Sequence, residues 1–287
     1  MSANGVTRFG LPKSEITATV VPLPPMPKQR AIVKYLGSET RRLDALLVET
    51  ERLLNLLEEK RQALIARAVT RGLNSDIPFR DSGIAWLGEI PEHWNTKRAR
   101  WLFRERNQRS TTGCEELLTV SHLTGVTPRS EKAVNMFEAQ TTEGYKVCFR
   151  GDLVINTLWA WMGAMGVAST DGIVSPAYNV YAPLTAMDPE YVDALVRLRV
   201  FAQEVTRHST GVWSSRLRLY PDGFFAVSLP VPPLVEQQQI ARYLRRSEEN
   251  IYDLKESVAH ARALAGERRV ALIAGAVIGK IDVENGA

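Results

Sequence analysis

The chain has 287 residues, 45% of them hydrophobic and 24% charged, with a formal net charge of +4 and a pI of about 9.1. No run approaches twenty apolar residues, and the opening "MSANGVTRFG" lacks the basic start and apolar stretch of an export signal, so a membrane span and secretion are not expected and a cytoplasmic protein is. Two cysteines, Cys114 and Cys148, have no companion at metal-ligand spacing, which predicts free thiols and no zinc site.

The first readable element follows "PLPPMPKQRAIVKYL" at Pro22, and nearly the same phrase, "PVPPLVEQQQIARYL", returns at Pro230. A shift of 208 positions lays Pro24 on Pro232, Gln29 on Gln237, Tyr35 on Tyr243 and, without a gap, "EKRQALIARAV" from Glu59 on "ERRVALIAGAV" from Glu267. Each copy predicts one long helix. Apolar or small residues recur every seven at Leu36, Leu43, Thr50, Leu57 and Leu64, and again at Leu244, Ile251, Val258, Ala265 and Leu272. That spacing is the seam of a coiled coil, with Leu46, Leu53, Leu254 and Ala261 expected at its intermediate positions. Gly72 and Pro78 stop the first helix, so a helix over 28–71 would run roughly 65 Å.

Between the helices, residues 75–230 read as a single mixed domain. Trp86, Trp94 and Trp101 are expected in its core. Strands are predicted at "ELLTVSHL", "YKVCF", "DLVINTL", "NVYAPL" and "FAVSLPV", a helix over 189–207, and a loop or tight strand pairing at the Gly-rich "WAWMGAMGVAST". The fold class is therefore α+β, one mixed α/β domain flanked by two long coiled-coil helices. This middle segment holds 16 Lys/Arg against 17 Asp/Glu, so its cationic character is confined to clusters such as "KRARWLFRERNQR" from Lys97 and the span from Arg207 to Arg218.

Complete active-site constellations are missing. "SPAY" at Ser175 to Tyr178 is the nearest approach to an amino-methyltransferase motif, and it has Ser where the amide or acid is needed and Ala for the second Pro; no GxxxxGK[ST] loop is present. Asp152 and Asp171 are isolated, and His93, His122, His208 and His260 form no nucleophilic or metal pattern, so neither a catalytic group nor a cofactor is expected.

The phrases "DSGIAWLGEIPEHW", "GDLVINTLWAWMGAMGV", "GIVSPAYNVY" and "GVWSSRLRLYPDGFFAVSLPVPPLVEQQQIARYL", with the two helices, resemble the specificity subunit of Type I restriction-modification systems over nearly the whole chain. The resemblance implies a target-recognition domain over 75–230 that reads double-stranded DNA, and two conserved spacer helices, 28–73 and 235–279, of an antiparallel coiled coil. It also implies that catalysis belongs to partners, a methyltransferase (M) subunit using S-adenosylmethionine and an ATP-dependent restriction (R) subunit. Residues 1–27 match only the tail of a first recognition domain, with Arg8 over Arg216 and Leu11 over Leu219. The expectation is a half-length or N-terminally truncated form with one reader, which leaves open a homodimer, a gene fragment, or a monomer whose helices pair with each other. Residue type and loop position nominate Arg129, Lys146, Asn156, Trp159, Tyr178, Ser214, Arg216 and Arg218 for DNA contact. A coiled-coil adaptor that reads nothing, or a stand-alone DNA methyltransferase, are the alternatives.

Overall fold

The computed structural model describes residues 17–18, 20–132, 141–211 and 217–283. The chain divides into two compact units, Met1–Glu58 with Tyr252–Ala287, and Glu59–Ile251, described here in turn. The long helices are α1 (Met26–Arg71) and α5 (Leu234–Val277).

The repeated Pro-Pro phrase does the same thing at the head of each helix. The Gln29 side chain donates from Nε2 to the Pro24 carbonyl at 2.7 Å, and Gln237 donates to the Pro232 carbonyl at 2.9 Å. Both glutamine backbone N–H groups also bond the second proline's carbonyl at 3.0 Å. In both copies a side-chain amide thus satisfies the carbonyl of the first proline at the head of the helix.

In the first unit, α1 and α5 run antiparallel. Thr50, Leu57 and Ala265 are buried at the seven-residue seam and Leu36, Leu43, Val258 and Leu272 are half-buried. The intermediate positions differ from the sequence reading: Leu46, Leu53, Leu254 and Ala261 are exposed, and Leu47 and Leu54, one residue later, turn inward instead. Positions three and four residues after a seam residue lie on the same flank of a helix, and here the fourth takes the inward place; Leu47 and Leu54 share the lining of an apolar groove of about 880 Å³ with Ala259, Ala263, Gly266, Val270, Ala271 and Ala274 of α5. Ionic rungs alternate with these apolar contacts. Asp44 pairs with Arg269 at 2.7 Å, Glu51 with Arg262 at 2.7 Å, and Glu58 with Lys255. One end of the unit is closed by Ile32, Ala276 and Val283. The chain turns there at Gly279 (φ +75°), with Lys280 N–H bonding back to the Gly275 carbonyl at 2.8 Å.

The second unit is built on a four-stranded antiparallel sheet in the order β4 (Phe103–Glu105), β11 (Tyr178–Pro183), β8 (Leu153–Asn156), β9 (Met165–Val167). Two-stranded antiparallel pairs surround it: β1 (Phe79–Asp81) with β2 (Glu89–Pro91), β3 (Asn95–Arg98) with β12 (Ser228–Val231), β5 (Leu118–Ser121) with β6 (Gly125–Pro128), and β7 (Lys146–Cys148) with β10 (Gly172–Val174). Tyr181, Leu153 and Ile155 of the sheet pack with Tyr191, Leu195, Phe201 and Phe224 of the helices and with Val69, Ile240 and Leu244 of the long helices in one core.

Local chemistry explains several departures from the sequence reading. The helix expected over 189–207 is two, α2 (Pro189–Val196) and α3 (Arg199–Arg207), because Leu198 takes an extended conformation (φ −61°, ψ 138°). Arg197 there ties the break down by donating to Asp193 at 3.1 Å and to the Leu123 carbonyl at 2.8 Å. Phe225 and Ala226 belong not to a strand but to α4 (Pro221–Ala226), which proline starts at its first position. Trp94 is buried, its Nε1 donating to Glu236 at 3.0 Å, and Trp86 meets Phe201 edge-on at 5.4 Å. Trp101, expected in the core, is 67% exposed, because its neighbours Ala99 and Leu102 take the inward positions of a 3₁₀ turn.

Candidate nucleic-acid interface

One end of the four-stranded sheet gathers four of the eight nominated residues, Asn156, Trp159, Tyr178 and Arg218. Asn156, the last residue of β8, lies opposite Tyr178, the first of β11. The next residue, Thr157, accepts from Leu219 N–H at 3.2 Å and donates from Oγ1 to the Ala177 carbonyl at 2.8 Å. Thr210 and Arg218 exchange backbone hydrogen bonds at 2.9 and 3.0 Å, on either side of the segment that contains the nominated Ser214 and Arg216. Those two residues lie outside the described residues; Arg218 is exposed.

Trp159 stands on the 3₁₀ turn Ala160–Met162 that follows β8 and is 51% exposed. Trp161 stacks on it at 6.1 Å and 25°, and is itself pinned by Nε1 donating to the Leu158 carbonyl at 3.0 Å. Gly163 ends the turn at φ +87°, where a side chain would be strained. Trp161 and the exposed Tyr220, beside Leu219, were not nominated from sequence. The W-A-W spacing carried the first signal; nothing local marked the second.

The surroundings of the other nominated side chains differ from one to the next. Tyr178 is half-buried against Leu118, Val120, Val154 and Val180. Asn156 is buried and spends its side-chain oxygen on Leu158 N–H at 3.2 Å, capping the turn that holds Trp159. Lys146 is 6% exposed, donating from Nζ to Asn179 Oδ1 at 2.9 Å with Glu105 at 3.9 Å. Burial lowers its pKa, with Glu105 acting in the opposite direction and Arg109 adding to the lowering. Both polar groups are engaged by the protein's own atoms, Asn156 at this end of the sheet, the rim, and Lys146 through Asn179, one residue in from it. Arg129 opens the 3₁₀ turn Arg129–Glu131, its N–H bonded to the Leu117 carbonyl at 2.8 Å, while Leu117 bridges to Ile173 on the strand that leads to Tyr178.

The basic run from Lys97 is split by its partners. Arg106 makes two bonds to the buried Asp152, at 2.7 and 3.2 Å, and lies 4.7 Å over the Phe149 ring. Arg109 donates to the Gly144 carbonyl at 2.8 Å. Both cysteines are free thiols, Cys148 buried and Cys114 exposed. Among the described residues no cluster of three His, Cys, Asp or Glu side chains could hold a metal ion, and no helix is long and apolar enough to cross a membrane.

No protein-family model matches the sequence, and no curated protein is significantly similar to it. Solved structures are similar in fold. A chain from a structure describing complex assembly and conformational transition of the type I R-M system superposes with a TM-score of 0.70 at 19% identity, over 95% of this chain and 65% of that one. The HsdS subunit from Thermoanaerobacter tengcongensis superposes with a TM-score of 0.54 at 18% identity, over 97% of this chain and 65% of its own. This chain thus has the fold of type I specificity subunits and spans about two thirds of the length of these two relatives.

Proposed function

We propose that the chain is a DNA-reading specificity subunit of a Type I restriction-modification complex, working in the cytoplasm and taking one block of a bipartite duplex target. The observation that carries this reading is the convergence of Trp159, Trp161, Tyr178 and Arg218 at one end of the sheet, in a chain with this fold. Direct contact would come from Trp159, Tyr178, Arg129, Arg218, Ser214 and Arg216; guanidinium and hydroxyl groups supply base-edge hydrogen bonds and aromatic faces supply shape. Lys146 and Asn156 would hold this rim in place. Methyl transfer and ATP-driven cleavage would belong to M and R partner subunits, and the apolar groove along α1 and α5 offers an M subunit a face to dock on.

Selection from a random duplex pool by the purified chain, alone and with an M subunit, tests this. A single enriched block is expected, lost on Arg218→Ala without loss of folding. Enrichment of nothing beyond mixed-sequence DNA in either arm would leave the non-reading adaptor instead, and methyl transfer by the chain alone would revive the enzyme reading.

A further inference from the structure

A second cationic surface lies in the same unit, away from the rim. Lys97, Arg98, Arg100 and Arg104 are exposed and have no side-chain partner among the described residues. Five other arginines of this unit are neutralised locally: Arg71 by Glu89, Arg106 by Asp152, Arg197 by Asp193, Arg207 by Glu204 and Arg245 by Glu190. Four unpaired cations within eight residues, in a domain of near-zero net charge, therefore concentrate positive potential at one place.

Trp101 stands among them, 67% exposed. Its turn is fixed, since Ala99 N–H bonds the Val227 carbonyl at 2.8 Å, Leu102 N–H bonds Ala99 at 2.9 Å, and both residues are fully buried. The indole is thus held outward by a rigid base. Leu184, whose N–H bonds the Leu102 carbonyl at 2.7 Å, adds a half-exposed apolar neighbour.

The surface lies at the far end of β11 from the rim. Tyr178 pairs with Asn156 at the rim end, and Pro183 pairs with Phe103 at the other. Five strand steps separate them, roughly 17 Å at 3.4 Å per residue. That is about five base pairs, half a turn of B-form DNA.

We propose that Lys97, Arg98, Arg100, Arg104 and Trp101 form a sequence-blind contact that grips the DNA backbone about half a turn from the bases read at the rim. The proposal rests on the DNA-reading function above. A run of one sign suits regularly repeated phosphates, and a flat indole suits the apolar sugar faces between them.

The full chain carrying Arg98→Gln, Arg100→Gln and Arg104→Gln is titrated against two duplexes over a range of NaCl, one of mixed sequence and one bearing the enriched block, with circular dichroism confirming the fold. Loss of three phosphate contacts lowers the slope of log affinity against log salt by about 2.7. Both duplexes should weaken by the same factor, so the preference between them stays. Trp101→Ala should weaken both by the same factor with the slope unchanged, since an uncharged contact releases no counterion. A wild-type slope in the triple variant overturns the proposal; if that variant also fails to capture an M subunit, the surface is a protein-docking face instead. A wild-type chain with no preference between the duplexes would defeat the DNA-reading function, while the slope would still judge this surface separately.

Discussion

Cys148 sits on β7 with no exposed surface, and its thiol is pushed up from 9.0 to about 12, first by burial and then by the nearby Asp152 carboxylate. Burial likewise raises the phenols of Tyr181 and Tyr191 well above their usual range. These groups ionise more readily unfolded than folded, so the stability they contribute is complete below pH 9 and is lost as pH rises towards 12. Lys146 acts in the opposite sense. Its lowered pKa lets the folded state shed a proton before the unfolded chain does at 10.5, which favours folding as pH rises to that value. Urea midpoints should therefore fall with pH above 9, and more steeply once Lys146 stops compensating above 10.5. Cys148→Ala should flatten the fall between pH 9 and 12; an unchanged slope in that variant would show that the thiol is not the group responsible. The same strand shows why individual roles were hard to read. In "YKVCF" the apolar Val147 invites an inward placement, yet Lys146 and Cys148 face the core. Only the tertiary acceptor Asn179, thirty-three residues away, makes an inward lysine tolerable.

At the level of the helices, the seven-residue recurrence was legible because a two-helix seam imposes it on every turn, whereas the second column depends on the partner's side chains. Leu46 and Leu47, and Leu53 and Leu54, flank the seam alike in α1 alone, and only the pairing with α5 lines its groove with the second of each pair. Charge holds the register more openly. Asp44, Glu51 and Glu58 recur every seven on α1, and Lys255, Arg262 and Arg269 every seven on α5, in the antiparallel order that pairs all three. The members are about half exposed, so each rung contributes on the order of 0.2–1 kcal/mol. Their larger effect is on alternatives, since sliding one helix past the other brings unlike partners out of register. Glu51→Arg should lower the thermal midpoint and Arg262→Glu should do the same, while the double exchange restores most of the loss at low salt and less of it at high salt. Failure of the double exchange to recover more than either single change would mean the rungs are incidental to pairing.

For the whole chain, the repeat was the most informative feature of the sequence. The 208-residue shift identified two equivalent helix starts, and the matched bonds of Gln29 and Gln237 show what the repetition preserves. The fold of the mixed unit was less legible: β4, β6, β9 and β10 are three or four residues each, too short to show a period, and most are set by pairing with strands distant in sequence. If the helices act as the spacer between two readers, whether from two copies of the chain or from one copy and a partner, their length becomes a property of the DNA site. Seven residues added to both α1 and α5, between the second and third ionic rungs, keep the seam and the charge order while extending the pair by roughly 10.5 Å at 1.5 Å per residue. The gap between the two recognised blocks should then grow by about three base pairs at 3.4 Å each. Four residues added to α1 alone should instead misplace Asp44 and Glu51 relative to Arg269 and Arg262 and weaken the pairing before any new spacing is read. Selecting preferred duplexes with an assembly built on the paired insertion decides the matter. A gap lengthened by three supports helix length as the measure, and an unchanged gap would mean that the spacing is set by contacts between the readers themselves.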